Sequence, residues 1–246
     1  MSGTVNLGSA PKVDSRRGDG WWRRAGRWLL PPRCLLCGEA GAHGRDLCAA
    51  CATALPWNRS ACTRCALPLP EPGVCGECLQ RPPALTETRA AFVYGFPLDR
   101  LAPRFKFHRD LAAGRLLAEL MADGLAAAPR PEALVPVPLH RRRLRRRGYD
   151  QALELARPLA RTLGIPLHAD LLSRQRATAP QSELDAAARQ RNLRNAFAVP
   201  PNRAMPQHVA LVDDVMTTGA TLRAAARALL KAGVLRVDAW VCARVP

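Results

Sequence analysis

The chain has 246 residues, of which 48% are hydrophobic, and a formal net charge of +17 at pH 7. This length accommodates one α/β domain of ordinary size and a small second module. The apolar runs are too short to cross a bilayer, and the first twenty residues lack the apolar core of a secretory signal, so we expect a cytoplasmic protein without a membrane span. In that reducing compartment, nine cysteines favour metal binding over disulfides.

Four C-x-x-C pairs occupy residues 34–83 and follow an N-terminal tail, residues 1–33, which we expect to be disordered in part. The segment 34–83 has almost no periodic apolar pattern and needs a staple to fold. Two C-x-x-C turns complete the tetrahedral thiolate shell of a structural zinc, so eight cysteines predict two zinc sites. Short connecting loops favour pairing of consecutive turns, although spacing alone leaves the interleaved pairing open. The predicted ligands are Cys34, Cys37, Cys48, Cys51, Cys62, Cys65, Cys75 and Cys78.

From residue 84 onward, short β-like runs alternate with Ala/Leu-rich helical segments, which predicts a second domain over residues 84–246. This alternation is typical of an α/β fold, in which helices cover both faces of a parallel sheet and ligands bind at the carboxyl ends of strands. The predicted strands are 90–96, 133–137, 209–212 and 234–241, and the predicted helices are 110–127, 149–163, 183–194 and 221–232.

A cluster of basic residues directly follows the second predicted strand, with six arginines in seven positions. Guanidinium groups bind phosphate oxygens bidentately. Six exceed the need of one diphosphate, so the surplus is available for a nucleic-acid backbone, whose binding weakens as salt rises. A solvated, disordered charge run is the simpler alternative. The cluster consists of Arg141, Arg142, Arg143, Arg145, Arg146 and Arg147.

The segment 209–222, VALVDDVMTTGATL, predicts a pocket for a ribose 5-phosphate. Backbone N–H groups and hydroxyls of the small-residue loop can surround a phosphate at the start of a helix. The acidic pair can accept hydrogen bonds from two ribose hydroxyls and help to place Mg²⁺. Neither a Walker A loop nor a dinucleotide fingerprint is present, and the alternative is an ordinary strand-to-helix turn. The predicted ribose-phosphate residues are Asp213, Asp214, Thr217, Thr218, Gly219, Ala220 and Thr221.

The string VDDVMTTGATL is similar to the phosphoribosyl-pyrophosphate loop of type I phosphoribosyltransferases. Further motifs extend the resemblance to one branch, the ComF family, over residues 34–246. Where that family usually has RGFNQ, this chain has RGYDQ, so that Tyr149 replaces a Phe and Asp150 an Asn. The motifs that carry the resemblance are the eight cysteines, FKF at 105–107, VPVPLH at 135–140, RRRGYDQ at 145–151, and Gln181, Leu184, Arg189 and Asn192.

The resemblance implies an α/β, parallel-sheet phosphoribosyltransferase-like domain that follows a small zinc-ribbon module. It implies binding of phosphoribosyl pyrophosphate with Mg²⁺, and a function in natural competence and the handling of imported single-stranded DNA, with other DNA-uptake proteins as further partners. Catalysis would fall to Lys106, Asp213 and Asp214, and a loop in the arginine cluster would grip pyrophosphate. Two functions stay open: a pentosyl-type transferase, and a non-catalytic DNA-binding or ligand-sensing adaptor that retains the pocket.

Overall fold

The computed structural model describes residues 31–175, 196–201 and 204–246. Most of the predicted tail, the predicted helix 183–194 and the motif residues between 181 and 192 lie outside these ranges. The strands are β1 (Thr88–Val93), β2 (Ala133–Pro136), β3 (Ser173–Arg174), β4 (Phe197–Ala198), β5 (His208–Met216) and β6 (Arg236–Arg244). The helices are α1 (Ala49–Thr53), α2 (Gly76–Gln80), α3 (Leu98–Phe107), α4 (Leu111–Leu125), α5 (Arg141–Arg147), α6 (Gln151–Leu163) and α7 (Ala220–Lys231).

Four of the strands form one parallel sheet in the order β1-β6-β5-β2, while β3 and β4 form a separate antiparallel pair. The prediction of an α/β fold with a parallel sheet is therefore confirmed. None of the helices in the described ranges has the length and apolar character of a membrane span.

The two central strands are longer than the sequence pattern indicated. β5 and β6 stay in register from the pair His208 and Arg236 to the pair Met216 and Arg244. Because hydrogen bonding continues along this whole length, β5 does not end at residue 212 as predicted. Asp213 and Asp214 consequently lie inside the last part of β5 rather than after it.

The arginine cluster is helical, so the loop conformation predicted there and the alternative of a disordered run are wrong, while binding of pyrophosphate by these arginines stays a prediction. His140 caps α5 by accepting a hydrogen bond from the Arg142 N–H, at 3.2 Å. Gly148 ends the helix with φ of 87°, the left-handed conformation that glycine adopts at no steric cost. Arginine is itself a good helix former, so a cap at each end is enough to define this short element.

Each face of the sheet carries its own apolar core. On one face, α7 packs its buried side chains, such as Leu222 and Leu229, against the sheet. On the other face, α4 and α6 do the same, for example with Leu117 and Leu155. Full burial of a leucine contributes about 1.5–3 kcal/mol, so the helices are held mainly by these two cores.

The cysteine module, residues 34–83, covers the edge of the sheet that β1 forms. The β1 residue Val93 donates its N–H to Pro56 O at 2.8 Å, and Asn58 donates its N–H to Ala91 O at 3.0 Å. Between them, the Trp57 ring packs on Phe92 with 4.6 Å between ring centroids. Residues 56–58 therefore pair with β1 through an antiparallel bridge between Trp57 and Phe92, which protects an edge that would otherwise expose unpaired backbone groups.

Candidate functional site

The eight cysteines of the module form two clusters. In each cluster the four sulfur atoms lie within 4.8 Å of one another. Consecutive C-x-x-C turns are paired, so the interleaved pairing is wrong. Four thiolates at this spacing match the shell of a structural zinc and leave no open position for a reaction. The first cluster is Cys34, Cys37, Cys48 and Cys51, and the second is Cys62, Cys65, Cys75 and Cys78.

Backbone N–H groups lower the pKa of one cysteine in each cluster. Although burial acts in the opposite direction, the N–H groups of Cys48, Cys37 and Leu36 lower the pKa of Cys34 to about 6. In the second cluster, burial is likewise outweighed by N–H groups that include that of Cys75, and the pKa of Cys62 falls to about 7. Since zinc binds the thiolate form, these N–H groups favour metal binding at neutral pH.

A pocket of about 480 Å³ lies at the carboxyl ends of β2 and β5, where parallel sheets bind their ligands. It brings together all the residues predicted for catalysis and ribose-phosphate binding with two of the arginines, although these come from three separate parts of the chain. Among the arginines of α5, only the two that lie one helical turn apart, Arg143 and Arg147, line it. The other selected residues that line the pocket are Lys106, Asp213, Asp214, Thr217, Thr218, Gly219, Ala220 and Thr221.

Backbone and side-chain contacts hold the acidic pair in place. Asp213 Oδ1 accepts the Asp214 N–H at 2.9 Å, and Asp214 Oδ1 accepts the Val215 N–H at 2.7 Å. Lys106 Nζ, from α3, lies 3.4 Å from Asp214 Oδ2. Burial, followed by the negative charge of Asp214, raises the pKa of Asp213 well above its usual value. A bound cation, or a hydroxyl that donates a hydrogen bond to the pair, would therefore stabilise its ionised carboxylates.

The loop after β5 ends at a helix whose first turn faces the pocket. Gly219, with φ of 68°, is the N-cap of α7 and offers no side-chain acceptor to that turn. A side chain at this position would require the end of the buried Met216 side chain to move, and the positive φ disfavours residues other than glycine. Thr218 Oγ1 accepts the Ala220 N–H, the first of the helix, at 3.4 Å. The helix dipole favours an anion at this end of α7.

Asp150, where the sequence departs from RGFNQ, ties two pocket walls together. Its carboxylate accepts the Leu139 N–H at 2.8 Å and, as the N-cap of α6, the Leu153 N–H at 3.2 Å. Burial raises its pKa. Two backbone N–H groups thus donate hydrogen bonds to the Asp150 carboxylate, and these bonds hold the turn after β2 against the start of α6.

Sequence reasoning gave no individual role to Arg174, yet it lines the pocket. It lies in β3, and its guanidinium group is 5.4 Å from the centre of the Phe197 ring in β4. Burial, and then the positive charge of Arg143, lower its pKa. No local motif marks this residue, because it reaches the pocket through pairing with a strand far along the chain.

The raised pKa of Asp213 leads to a stability prediction. A carboxyl group with a higher pKa in the folded state binds its proton more tightly there, so stability falls as the pH rises above the ordinary aspartate value of 3.8 and through the raised pKa. Asn at this position can still accept the Asp214 N–H but carries no charge to bury. We expect Asp213→Asn to raise the melting temperature of the unliganded protein by about 4 °C at neutral pH. The gain should disappear as the pH approaches that ordinary value.

Thermal unfolding followed by circular dichroism, at a series of pH values, checks this expectation. A variant that melts at or below the wild-type temperature at neutral pH would contradict it.

Comparisons with known proteins match both parts of the chain. A family model described as a double zinc ribbon domain matches residues 25–79. A second model, described as a phosphoribosyl transferase domain, matches residues 150–246. The chain therefore combines a double zinc ribbon with a phosphoribosyltransferase-type α/β domain.

Curated relatives are similar over most of the chain. Competence protein F of Haemophilus influenzae is 40% identical over 178 residues, which cover 69% of this chain and 78% of the relative. The DNA utilization protein YhgH of Salmonella typhi is 41% identical over 177 residues, or 69% of this chain and 77% of the relative. Competence protein ComFC of Bacillus subtilis is 30% identical over 155 residues, or 61% of this chain and 60% of the relative. With this identity and coverage, the chain belongs to the ComF family of competence and DNA utilization proteins.

Proposed function

We propose that this protein binds phosphoribosyl pyrophosphate with Mg²⁺ and acts in the cytoplasm in natural competence, on imported single-stranded DNA. The observation that carries the proposal is the meeting of three groups in one pocket: the loop 217–221, the pair Asp213 and Asp214, and the cations Arg143 and Arg147. The names of the relatives, which refer to competence and DNA utilization, support the cellular part.

Each part of the ligand has a chemical counterpart in the pocket. The 5-phosphate fits the loop and the start of α7, where backbone N–H groups and hydroxyls can donate hydrogen bonds to it. The ribose hydroxyls fit the carboxylates of Asp213 and Asp214, which accept hydrogen bonds. The diphosphate fits Arg143 and Arg147, and bound Mg²⁺ would neutralise part of its charge.

The same arrangement suits a pentosyl transfer in which an acceptor nucleophile bonds to C1 of the ribose as the C1–O bond to diphosphate breaks and diphosphate leaves. Fixed charges that match the departing diphosphate lower such a barrier without a covalent nucleophile from the protein. Asp213 and Asp214 would hold the sugar, and Lys106 would steady Asp214 from α3, 3.4 Å away. The non-catalytic alternative, an adaptor or sensor, would use the same contacts to bind the ligand without turnover.

Isothermal titration tests the binding proposal. We expect wild-type protein to bind phosphoribosyl pyrophosphate in the presence of Mg²⁺, and Asp213→Ala or Asp214→Ala to abolish that binding. Glu71→Ala is a control, because Glu71 is an exposed acid of the cysteine module outside the pocket. Wild-type protein that shows no binding, or acidic-pair variants that bind normally, would overturn the proposal.

A second candidate activity, binding of a nucleic-acid backbone, is favoured by the arginines of α5 that do not line the pocket. These outer arginines are all exposed. They project from one short helix beside the pocket mouth, so a polyanion could contact them while the pocket holds its own ligand. The outer arginines are Arg141, Arg142, Arg145 and Arg146.

A further inference from the structure

One buried side chain in the pocket has no role in the contacts described above. Gln151, the first residue of α6, is only 2% exposed and lines the pocket. Its amide nitrogen Nε2 is buried, with no hydrogen-bond partner in the described part of the chain. Buried polar groups are nearly always hydrogen-bonded, so an orphaned amide that borders a cavity points to an acceptor supplied by a ligand.

The position of Gln151 indicates which part of a ligand it meets. It follows Asp150, whose carboxylate holds the Leu139 N–H, so it belongs to the wall made by the turn after β2 and the start of α6. The loop 217–221 instead follows β5, the neighbouring strand. A ligand whose 5-phosphate binds at that loop would therefore present a different group to Gln151.

The chemistry of the amide also limits which group of the ligand can bind to Gln151. An NH₂ group donates, so its counterpart must be an acceptor oxygen. The ribose hydroxyls are matched by Asp213 and Asp214, which need donors. The half-buried Arg143 and Arg147 add positive charge to the same pocket and attract an anion. A diphosphate meets both conditions, since every one of its outer oxygens accepts hydrogen bonds.

We infer that Gln151 is a diphosphate-binding residue, whose Nε2 donates a hydrogen bond to an oxygen of the 1-diphosphate of phosphoribosyl pyrophosphate. The inference rests on the proposed function and adds a residue to it. Gln151 lies close enough to the Tyr149 hydroxyl to act on its pKa, but the two groups form no hydrogen bond of ordinary geometry, and both are buried without another partner in the described residues. The bound diphosphate would relieve the cost of leaving the amide unpaired.

Titration calorimetry of Gln151→Met with three ligands tests the inference. Methionine has a similar length and no donor. With Mg²⁺ present, we expect the variant to bind phosphoribosyl pyrophosphate and inorganic pyrophosphate at least about tenfold more weakly than wild type. Binding of ribose 5-phosphate should change less than about twofold, because it lacks the diphosphate. Gln80→Met is the matched control, since Gln80 is exposed at the end of α2.

Thermal unfolding separates this role from a structural one. Loss of an amide with no partner should leave the melting temperature unchanged or higher, whereas loss of a structural hydrogen bond should lower it. Gln151→Met that binds all three ligands as wild type does, or that loses all three equally, overturns the inference. If that variant does not fold, Gln151→Glu decides, because its carboxylate should repel diphosphate and spare ribose 5-phosphate. Wild-type protein that binds none of the ligands would instead overturn the proposed function itself.

Discussion

Loss of the second zinc site, through Cys62→Ser together with Cys65→Ser, is expected to unfold the pocket domain along with the cysteine module. Cys62 is fully buried, and its cluster belongs to the same apolar core as the α7 face of the sheet. Loss of a structural zinc site removes at least about 5 kcal/mol, which is comparable to the whole stability of an ordinary domain. The cysteine module and the pocket domain should therefore unfold together in one transition.

A direct path joins this cluster to the pocket. Arg244, in the last strand, donates its Nε–H to Cys65 O at 3.0 Å. Its backbone pairs in register with Met216, and Met216 O accepts the Val245 N–H at 2.9 Å. Because Met216 lies beneath Gly219, movement of the cysteine turn would be transmitted to the phosphate loop.

Differential scanning calorimetry combined with zinc analysis gives the measurement. Cys242→Ala is the control: this cysteine is 2% exposed and free, so its loss should cost about 1–2 kcal/mol and leave both metals bound. A trace in which the double variant retains a transition at the wild-type temperature would show that the pocket domain folds without the second zinc site.

Replacing the four outer arginines by glutamine is expected to remove most DNA binding and to leave ligand binding in the pocket intact. Glutamine retains the helix propensity of arginine, so α5 should persist. For every phosphate that the variant no longer neutralises, the slope of log affinity against log salt should fall by about 0.7 for a single strand, so four phosphates amount to about 3. At low salt, the expected loss of affinity is about a hundredfold or more.

Fluorescence anisotropy with a labelled oligothymidine over a salt series measures the DNA affinity of the variant. Calorimetry with phosphoribosyl pyrophosphate measures its ligand affinity. The matched variant carries glutamine in place of Arg143 and Arg147, the two arginines of the same helix that line the pocket. It should show the opposite pattern, with ligand binding abolished and most DNA affinity retained. DNA affinity that is indifferent to salt, or to removal of the outer arginines, would exclude this helix as the DNA-binding element.

The metal clusters were predictable from the sequence because C-x-x-C turns carry their geometry locally. Eight cysteines at regular spacing predicted two four-thiolate sites, and the short loops favoured the pairing that the structure has. The phosphate loop and acidic pair were equally local. Their meeting with Lys106 and Arg143 depends on the order of strands in the sheet, which no single motif encodes.

Four of the described helices were not predicted: α1 and α2 in the cysteine module, and α3 and α5, for which local signals exist. The apolar residues of α3, such as Leu98, Leu101 and Phe105, have helical spacing, but Pro103 interrupts the pattern that one expects of a helix. For α5, six charges concealed a helix that His140 and Gly148 define at its ends. The place of Arg174 in the pocket and the unpaired amide of Gln151, although Gln151 belongs to the motif RRRGYDQ, could not be predicted from the sequence, because both depend on packing between separate elements.

The edge pairing of residues 56–58 has a consequence for synthesis on the ribosome. Of the two neighbours of β1, the segment 56–58 precedes it in the chain, whereas β6 is the last strand of the sheet to be made. Domains fold largely in the order in which they emerge, so a zinc-loaded module would be waiting when β1 leaves the exit tunnel. We expect the module to act as a template that shields the nascent strand from wrong partners until residues 236–244 arrive to complete the sheet.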